Sequence, residues 1–307
     1  MNLYLAAVYT SNFGLQSSAC DRLTESELAR RKEKSCLLES YHYIHRQKFV
    51  DYIRADKEQV FLDSGAFSAY TKGVDVDIDA YCDYIKRNED IIKKEDGILC
   101  ASVLDGIGDP LKTYENQCYM ESKGAKPLPC FHYGEDERYL EYYVANYDYI
   151  TLGGMVPIST PQLRIWLDRL WDRYLTDGSG RPRLRVHGFG LTNIPLMERY
   201  PWFSVDSSSW VQLAAFGNIY LPGFGMLAMS NNSPVRHDYN KHYDTMPKAT
   251  QDYARERIEA YGFTVERLRE TYEPRWTFNY FSYNELGRLI TKAKKAVQFT
   301  TKQMELF

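Results

Sequence analysis

Short apolar or β-branched runs alternate with longer amphipathic stretches through the first two thirds of this chain, and few architectures accommodate that rhythm. The runs fall at residues 3–8, 60–62, 98–104, 126–131, 149–152, 184–187, 202–205 and 219–221. Between them, stretches such as 80–92 and 162–174 return an apolar side chain every three to four residues against a charged face, the period of a helix lying on a core. Asp109-Pro110 and Thr160-Pro161 mark helix starts, each an N-cap residue ahead of a proline in the first turn. Strand and helix in alternation predict a parallel sheet with helices outside, and eight repeats predict its closure into a (β/α)8 barrel of the TIM type. Such a barrel takes roughly 250 residues. In a chain of 307 residues this leaves a C-terminal remainder, so the reading is a barrel over 1–222 and an extension over 223–307.

The extension opens with a Gly-, Asn- and Ser-rich connection at 223–234, followed by 236–243, which mixes basic and aromatic side chains and reads as a functional loop. Helices are expected at 249–261, 265–271 and 283–297, the last carrying Arg288, Lys292, Lys294 and Lys295. That basic cluster is either solvated surface favoured by the helix dipole or a face for phosphates, which makes the extension the expected nucleic-acid contact region. With 44% hydrophobic and 26% charged residues the chain has the balance of a globular domain and the composition of neither a disordered nor a membrane protein. The opening run has no basic lead and no small-residue cleavage site, so it reads as a first strand with no export signal. Six cysteines without a CxxC pair are expected to be free thiols in a reducing cytoplasm. The net charge of −3 argues against holding nucleic acid by a whole-molecule positive field. The 26 tyrosines and 5 tryptophans offer rings that could stack on exposed bases, although rings more often simply pack.

Barrel active sites sit at the C-terminal ends of the strands, which directs attention to the residues that end each run. They are Asp63-Ser64-Gly65, Asp105-Gly106, His132-Tyr133-Gly134, Gly153-Gly154, His187-Gly188-Phe189-Gly190 and Asp206-Ser207. Taken singly, Asp63 or Asp206 could cap the next helix. Three carboxylates at one end of a sheet are harder to explain that way. A metal held by carboxylates with His132 and His187 is the other alternative, but no ligand pair stands at metal-binding spacing, so no metal and no cofactor is expected. Two carboxyl groups in different environments suit glycosyl transfer: one forms a covalent bond to a sugar carbon while the other moves a proton.

These runs resemble the tRNA-guanine transglycosylases. Phe61-Leu62-Asp63-Ser64-Gly65-Ala66-Phe67 is similar to their Asp-Ser-Gly-Gly-Phe motif, and Leu152-Gly153-Gly154-Met155 to their base-binding Gly-Gly-Leu. His187-Gly188-Phe189-Gly190 resembles their Met-Gly-Val-Gly, and Val205-Asp206-Ser207 their nucleophile motif. The likeness spans residues 3–210 with the motifs in the same order. It implies that Asp206 attacks the sugar C1′, that Asp63 handles the proton of the leaving or entering base, and that Ser64 stands beside it. It also implies that Ser64, Asp105, His132, Gly153, Gly154, Met155 and His187 line the site of a guanine-like ring. His132 stands where the family commonly has glutamine, which leaves its role open.

The tRNA enzymes carry a C-terminal zinc site of three cysteines and one histidine, whereas no cysteine follows Cys130 here. A short chain without that site is similar to the phage and bacterial DNA relatives, the DpdA group, which exchange guanine in DNA for a 7-deazaguanine. The resemblance therefore implies DNA and a 7-deazaguanine base as partners, a cytoplasmic site of action (the host cytoplasm for a phage protein), no membrane, and a homodimer as one arrangement. An enzyme acting on tRNA, and a catalytically silent nucleic-acid-binding homologue, stay open as alternatives.

Overall fold

The computed structural model describes residues 1–294. The chain begins β1 (Asn2–Ala6), α1 (Glu25–Arg31), β2 (Cys36–Ser40), α2 (Tyr41–Ile44), α3 (Gln47–Ala55), β3 (Val60–Asp63), α4 (Ala66–Thr71) and α5 (Ile78–Arg87). It continues β4 (Lys94–Glu95), β5 (Ile98–Leu99), α6 (Pro110–Ser122), β6 (Cys130–His132), α7 (Glu137–Asn146), β7 (Tyr149–Gly153) and α8 (Thr160–Leu170). Then come β8 (Arg185–Gly188), α9 (Ile194–Arg199), β9 (Ser204–Ser207), α10 (Ser209–Ala215), β10 (Asn218–Leu221) and β11 (Gly225–Ala228). Three helices follow: α11 (Lys248–Ala260), α12 (Val265–Glu270) and α13 (Tyr272–Lys294). Among the described residues the chain divides into two compact units, one of Met1–Thr10, Cys36–Ser207 and residues 290–294, the other of Ser11–Ser35 and Ser208–Leu289. Pro222, where the sequence suggests a boundary, lies inside the second.

The first unit is built on a curled, seven-stranded parallel sheet in the order β3-β2-β1-β9-β8-β7-β6. Helices cover the sheet, and in β7 all five residues are buried. Register aligns the strand ends, with Ser40 opposite Asp63, His132 opposite Gly153, and Gly188 opposite Val205. Beyond β3 the chain at 100–103 continues the pairing: Ser102 N–H donates to Leu62 C=O at 2.9 Å, and Leu128 N–H, just ahead of β6, donates to Ala101 C=O at 2.7 Å. Helices are set by local signals. In α5 the Asp77 carboxylate accepts from Asp79 and Ala80 N–H while Tyr81, Cys82, Tyr84 and Ile85 form the buried face. Asp109 caps α6 as expected, with Pro110 in the first turn, whereas α8 is preceded by Ser159 rather than capped by Thr160.

Two strand expectations need correction. Residues 219–221 do not join the parallel sheet; as part of β10 they pair antiparallel with β11 in the second unit. An apolar run in a half-buried hairpin has the composition of a parallel strand, and the tight return is signalled by Gly223 and Gly225, at φ 81° and 103°. The strand that does belong to the sheet, β2, carries Glu39 as its fourth residue and follows a charged stretch, so its apolar signal is only Cys36-Leu37-Leu38.

The second unit packs Ile219, Leu221, Leu227, Met229, Ile258 and Phe278 into its own core. Much of the basic segment at 236–243 is engaged internally: Arg236 donates to Asn231 C=O at 3.0 Å, and buried His242 donates from Nε2 to Ser230 C=O at 3.0 Å. Tyr239 stands 83% exposed. Arg288 pairs with Glu285 and lies 3.7 Å from Glu33, and the expected helical residues 295–297, with Lys295, lie outside the described residues. No helix among the described residues is long and apolar enough to cross a membrane.

Candidate active site

Because the sheet is parallel, its C-terminal strand ends lie on one side. Asp63 ends β3, His132 ends β6, Gly153 ends β7, His187 and Gly188 end β8, Asp206 and Ser207 end β9, and Asp105 follows the paired stretch at 100–103. Neither Asp63 nor Asp206 is a helix cap: Gly65 precedes α4 and Ser208 precedes α10.

Asp63 is half-buried and its Oδ2 accepts from Gly65 N–H at 3.0 Å. Gly65 is left-handed, at φ 77°, and a Cβ there would run into Ser40 Oγ and lie 2.5 Å from His42 Cβ. Burial pushes the Asp63 carboxyl up to about 7; the nearby charges of Asp105 and Asp206 add to the rise, and the Gly65 N–H and Ser40 hydroxyl oppose it. The Asp105 and Asp206 carboxylates are therefore close enough to act on Asp63. Ser64 is fully buried; its N–H donates to Ser102 Oγ at 2.9 Å and its Oγ accepts from Ala66 N–H at 3.4 Å, so it braces the turn beneath Asp63.

Asp206 is buried, and its Oδ1 accepts from Gly190 N–H at 2.8 Å with His187 Nε2 at 3.4 Å. His187 is wholly enclosed. Its ring stacks on Phe61 with centroids 4.4 Å apart, and Nδ1 lies 2.8 Å from Ser204 Oγ, which is 2.7 Å from Tyr149 OH. Burial lowers the His187 pKa and Asp206 works against that, so the ring is neutral near pH 7. His187 is thus enclosed on the buried side of the Asp206 carboxylate.

A second cluster gathers around His132. Glu135 grips it twice, Oε2 accepting from its backbone N–H and Oε1 lying against Nδ1, both at 2.9 Å. Nε2 then lies 3.4 Å from Asp105 Oδ2 and 3.4 Å from Cys130 Sγ. The ring rests on the β7 backbone: a Cβ on Gly153 would stand 2.8 Å from His132 Cδ2 and 3.1 Å from Cys130 Sγ, which is why that position is glycine. Gly154 is exposed and left-handed at φ 68°, while Met155 is buried below it. Burial acts against a charged His132 ring, but Cys130 and Asp105 outweigh it and hold its pKa well above the usual histidine value. Burial also pushes the Cys130 thiol up to about 11. Asp105 Oδ1 is buried without a hydrogen-bond partner among the described residues.

Asp105, Cys130 and His132 offer an oxygen, a sulfur and a nitrogen all within 4.8 Å of one another, a set able to hold a metal ion. The metal alternative weighed from the sequence joined the carboxylates with both His132 and His187, but the sheet keeps His187 beside Asp206. The available signal was Cys130-x-His132, since alternate residues of one strand share a face. Glu39 was missed with its strand. It is 1% exposed, with Oε1 accepting from Tyr9 N–H at 2.6 Å and Oε2 from the Thr10 hydroxyl at 2.7 Å. Burial pushes it up to about 7 against those hydrogen bonds.

A cleft of about 680 Å3 opens at the opposite, N-terminal strand ends, lined in part by Asn2, Asp148, Arg185 and Phe203. There Arg185 pairs with Asp96 and lies 5.3 Å over the Phe203 ring, so its charge is already matched. No protein-family model matches the chain, and no curated protein matches it.

Proposed function

We propose that the first unit is a (β/α)8 barrel enzyme, a DNA-guanine transglycosylase that exchanges guanine for a 7-deazaguanine through an aspartyl-sugar intermediate. The observation that carries this reading is the grouping of Asp63, Asp105 and Asp206 at the C-terminal strand ends, with Asp63 coupled to both others. Barrel closure is supported by the bridges from Leu62 to Ala101 and from Ser102 to Leu128, which supply an eighth strand position between β3 and β6.

In this mechanism the free Asp206 oxygen attacks C1′, the C1′–N9 bond breaks with its electron pair going to guanine, and protonated Asp63 supplies the proton that guanine takes up. The incoming base gives its N9 proton to the Asp63 carboxylate, and N9 displaces Asp206 from C1′. The Gly190 N–H holds Oδ1 of the nucleophile, with the neutral His187 ring packed 3.4 Å behind it, leaving Oδ2 for attack. Asp105 Oδ1, buried and without a partner among the described residues, suits an N–H edge of the base. A stacked duplex base could not reach these groups, so the target nucleotide must be extruded or single-stranded.

The test is incubation with labelled guanine and duplex DNA, single-stranded DNA or tRNA, for the wild type and Asp206→Asn. Label should enter DNA, a denaturation-resistant protein–DNA adduct should form, and Asp206→Asn should lose at least ~1000-fold in exchange while still binding DNA. Exchange into tRNA alone would reassign the substrate, abasic sites would mark a hydrolase, and neither would leave a binding protein. Near-wild-type exchange by Asp206→Asn would remove the nucleophile assignment.

A further inference from the structure

We propose that Asp105 Oδ2, Cys130 Sγ and His132 Nε2 bind one zinc-class divalent ion, with a fourth coordination position open to solvent. Around a tetrahedral zinc, bonds of about 2.0–2.3 Å place ligand atoms roughly 3.3–3.8 Å apart. His132 Nε2 lies 3.4 Å from both Asp105 Oδ2 and Cys130 Sγ, and all three donors fall within 4.8 Å. As a hydrogen bond, the imidazole–carboxylate contact is long, beyond the roughly 2.7–3.2 Å that N–H···O bonds prefer. As two edges of one coordination sphere, the distances need no other explanation.

The surroundings are those of a metal ligand. Glu135 fixes Nδ1 of His132 at 2.9 Å and takes the backbone N–H of the same residue, so the ring cannot turn and Nε2 is aimed at Asp105 and Cys130. A carboxylate on the far nitrogen orients a metal-binding histidine and raises its basicity. Gly153 admits the ring to the strand surface. Sulfur and nitrogen donors beside a single oxygen select zinc-class ions over magnesium or calcium, which take oxygen ligands. Cys130 is 1% exposed, whereas the Asp105 and His132 side chains keep 13% and 17%, so the open position faces the side on which those two are reached. Binding releases the Cys130 thiol proton to solvent and leaves a thiolate on the ion. Asp105 Oδ1 stays available to a ligand N–H, so the ion and base recognition are compatible and the inference does not rest on the exchange reaction.

The test is metal analysis of protein purified without chelator or metal-affinity tag, followed by stripping and titration with Zn2+ and with Co2+. The expected result is one ion per chain, a cobalt form with tetrahedral visible bands and a near-ultraviolet thiolate-to-metal band, and loss of that band in Cys130→Ser. Affinity should fall roughly 10–100-fold in Glu135→Gln, which keeps all three ligands. Circular dichroism establishes that each variant is folded, and the wild-type cobalt spectrum decides the matter if a variant is not. Substoichiometric metal with no titratable site, a cobalt form lacking the thiolate band, or full metal content in folded Cys130→Ser and His132→Gln would overturn the site. Because these readouts need no DNA, a metal-loaded protein that exchanges no guanine would keep this site and sink only the enzymatic reading.

Discussion

At Asp63 a single carboxyl group is held near the middle of its titration at neutral pH. Burial lifts it to about 7 and the charges of Asp105 and Asp206 reinforce the rise. A carboxyl group raised this far can hold a proton at neutral pH, as an acid working beside a nucleophile must. If protonated Asp63 serves the departing guanine, exchange should decline above about pH 7 as that proton is lost. Asp63→Asn should lower the rate by roughly 10²–10⁴-fold and flatten that limb, because the amide does not titrate. The measurement is the pH profile of guanine exchange for both proteins. An unchanged inflection in Asp63→Asn would assign the titration to another group.

Among the elements, those the sequence announced and those it hid differ in what surrounds them. The strand ends at Asp63, Gly153 and Asp206 were legible because each follows a run buried on both faces, where apolar residues continue until the chain turns polar. The role of Gly153 was not, since only the fold lays His132 across it. β2 was hidden by Glu39, and β10 misled because hairpin and parallel strands share one composition. α1 is the plainest case of an element held by polar contacts: its buried residues are Glu27 and Arg31. Arg267 meets Glu27 at 2.7 and 2.8 Å, and Arg31 donates twice to Phe13 C=O, at 2.9 and 2.8 Å, with its guanidinium 4.6 Å over Tyr280. Its start is a capping box between Thr24 and Glu27. Thr24→Ala should therefore cost about 1 kcal/mol, the usual loss for a cap. Arg31→Leu should cost about 3 kcal/mol, since it leaves a buried carbonyl unsatisfied and removes a ring contact. Urea denaturation of both variants checks the order, and equal losses would show that Arg31 is dispensable to the helix.

On the scale of the whole molecule, the path of the chain between the two units gives Glu39 its importance. The chain leaves the first unit after Thr10 and returns at Cys36, and Glu39 on the returning strand accepts from Tyr9 and Thr10 on the departing one. One buried carboxyl group thus ties the two ends of the interruption, which no local pattern in the sequence could reveal. Its pKa is raised from 4.5 to about 7, so between those values the folded protein binds more protons than the unfolded chain. The stabilisation from the protonated group is complete below about pH 4.5 and is lost as pH rises through about 7. Other groups titrate in the same range: His187, with its lowered pKa, gains stability as pH rises toward 6.5, while His132, raised, loses it at higher pH. Comparing wild type with Glu39→Gln at each pH largely cancels those contributions, because the variant keeps the shape and removes only the Glu39 titration. From pH 5 to pH 8 the balance should move toward Glu39→Gln by on the order of 2–3 kcal/mol, at 1.36 kcal/mol per pKa unit. Chemical denaturation of both proteins at the two pH values measures this, and a stability difference that does not change with pH would mean that Glu39 keeps one protonation state throughout.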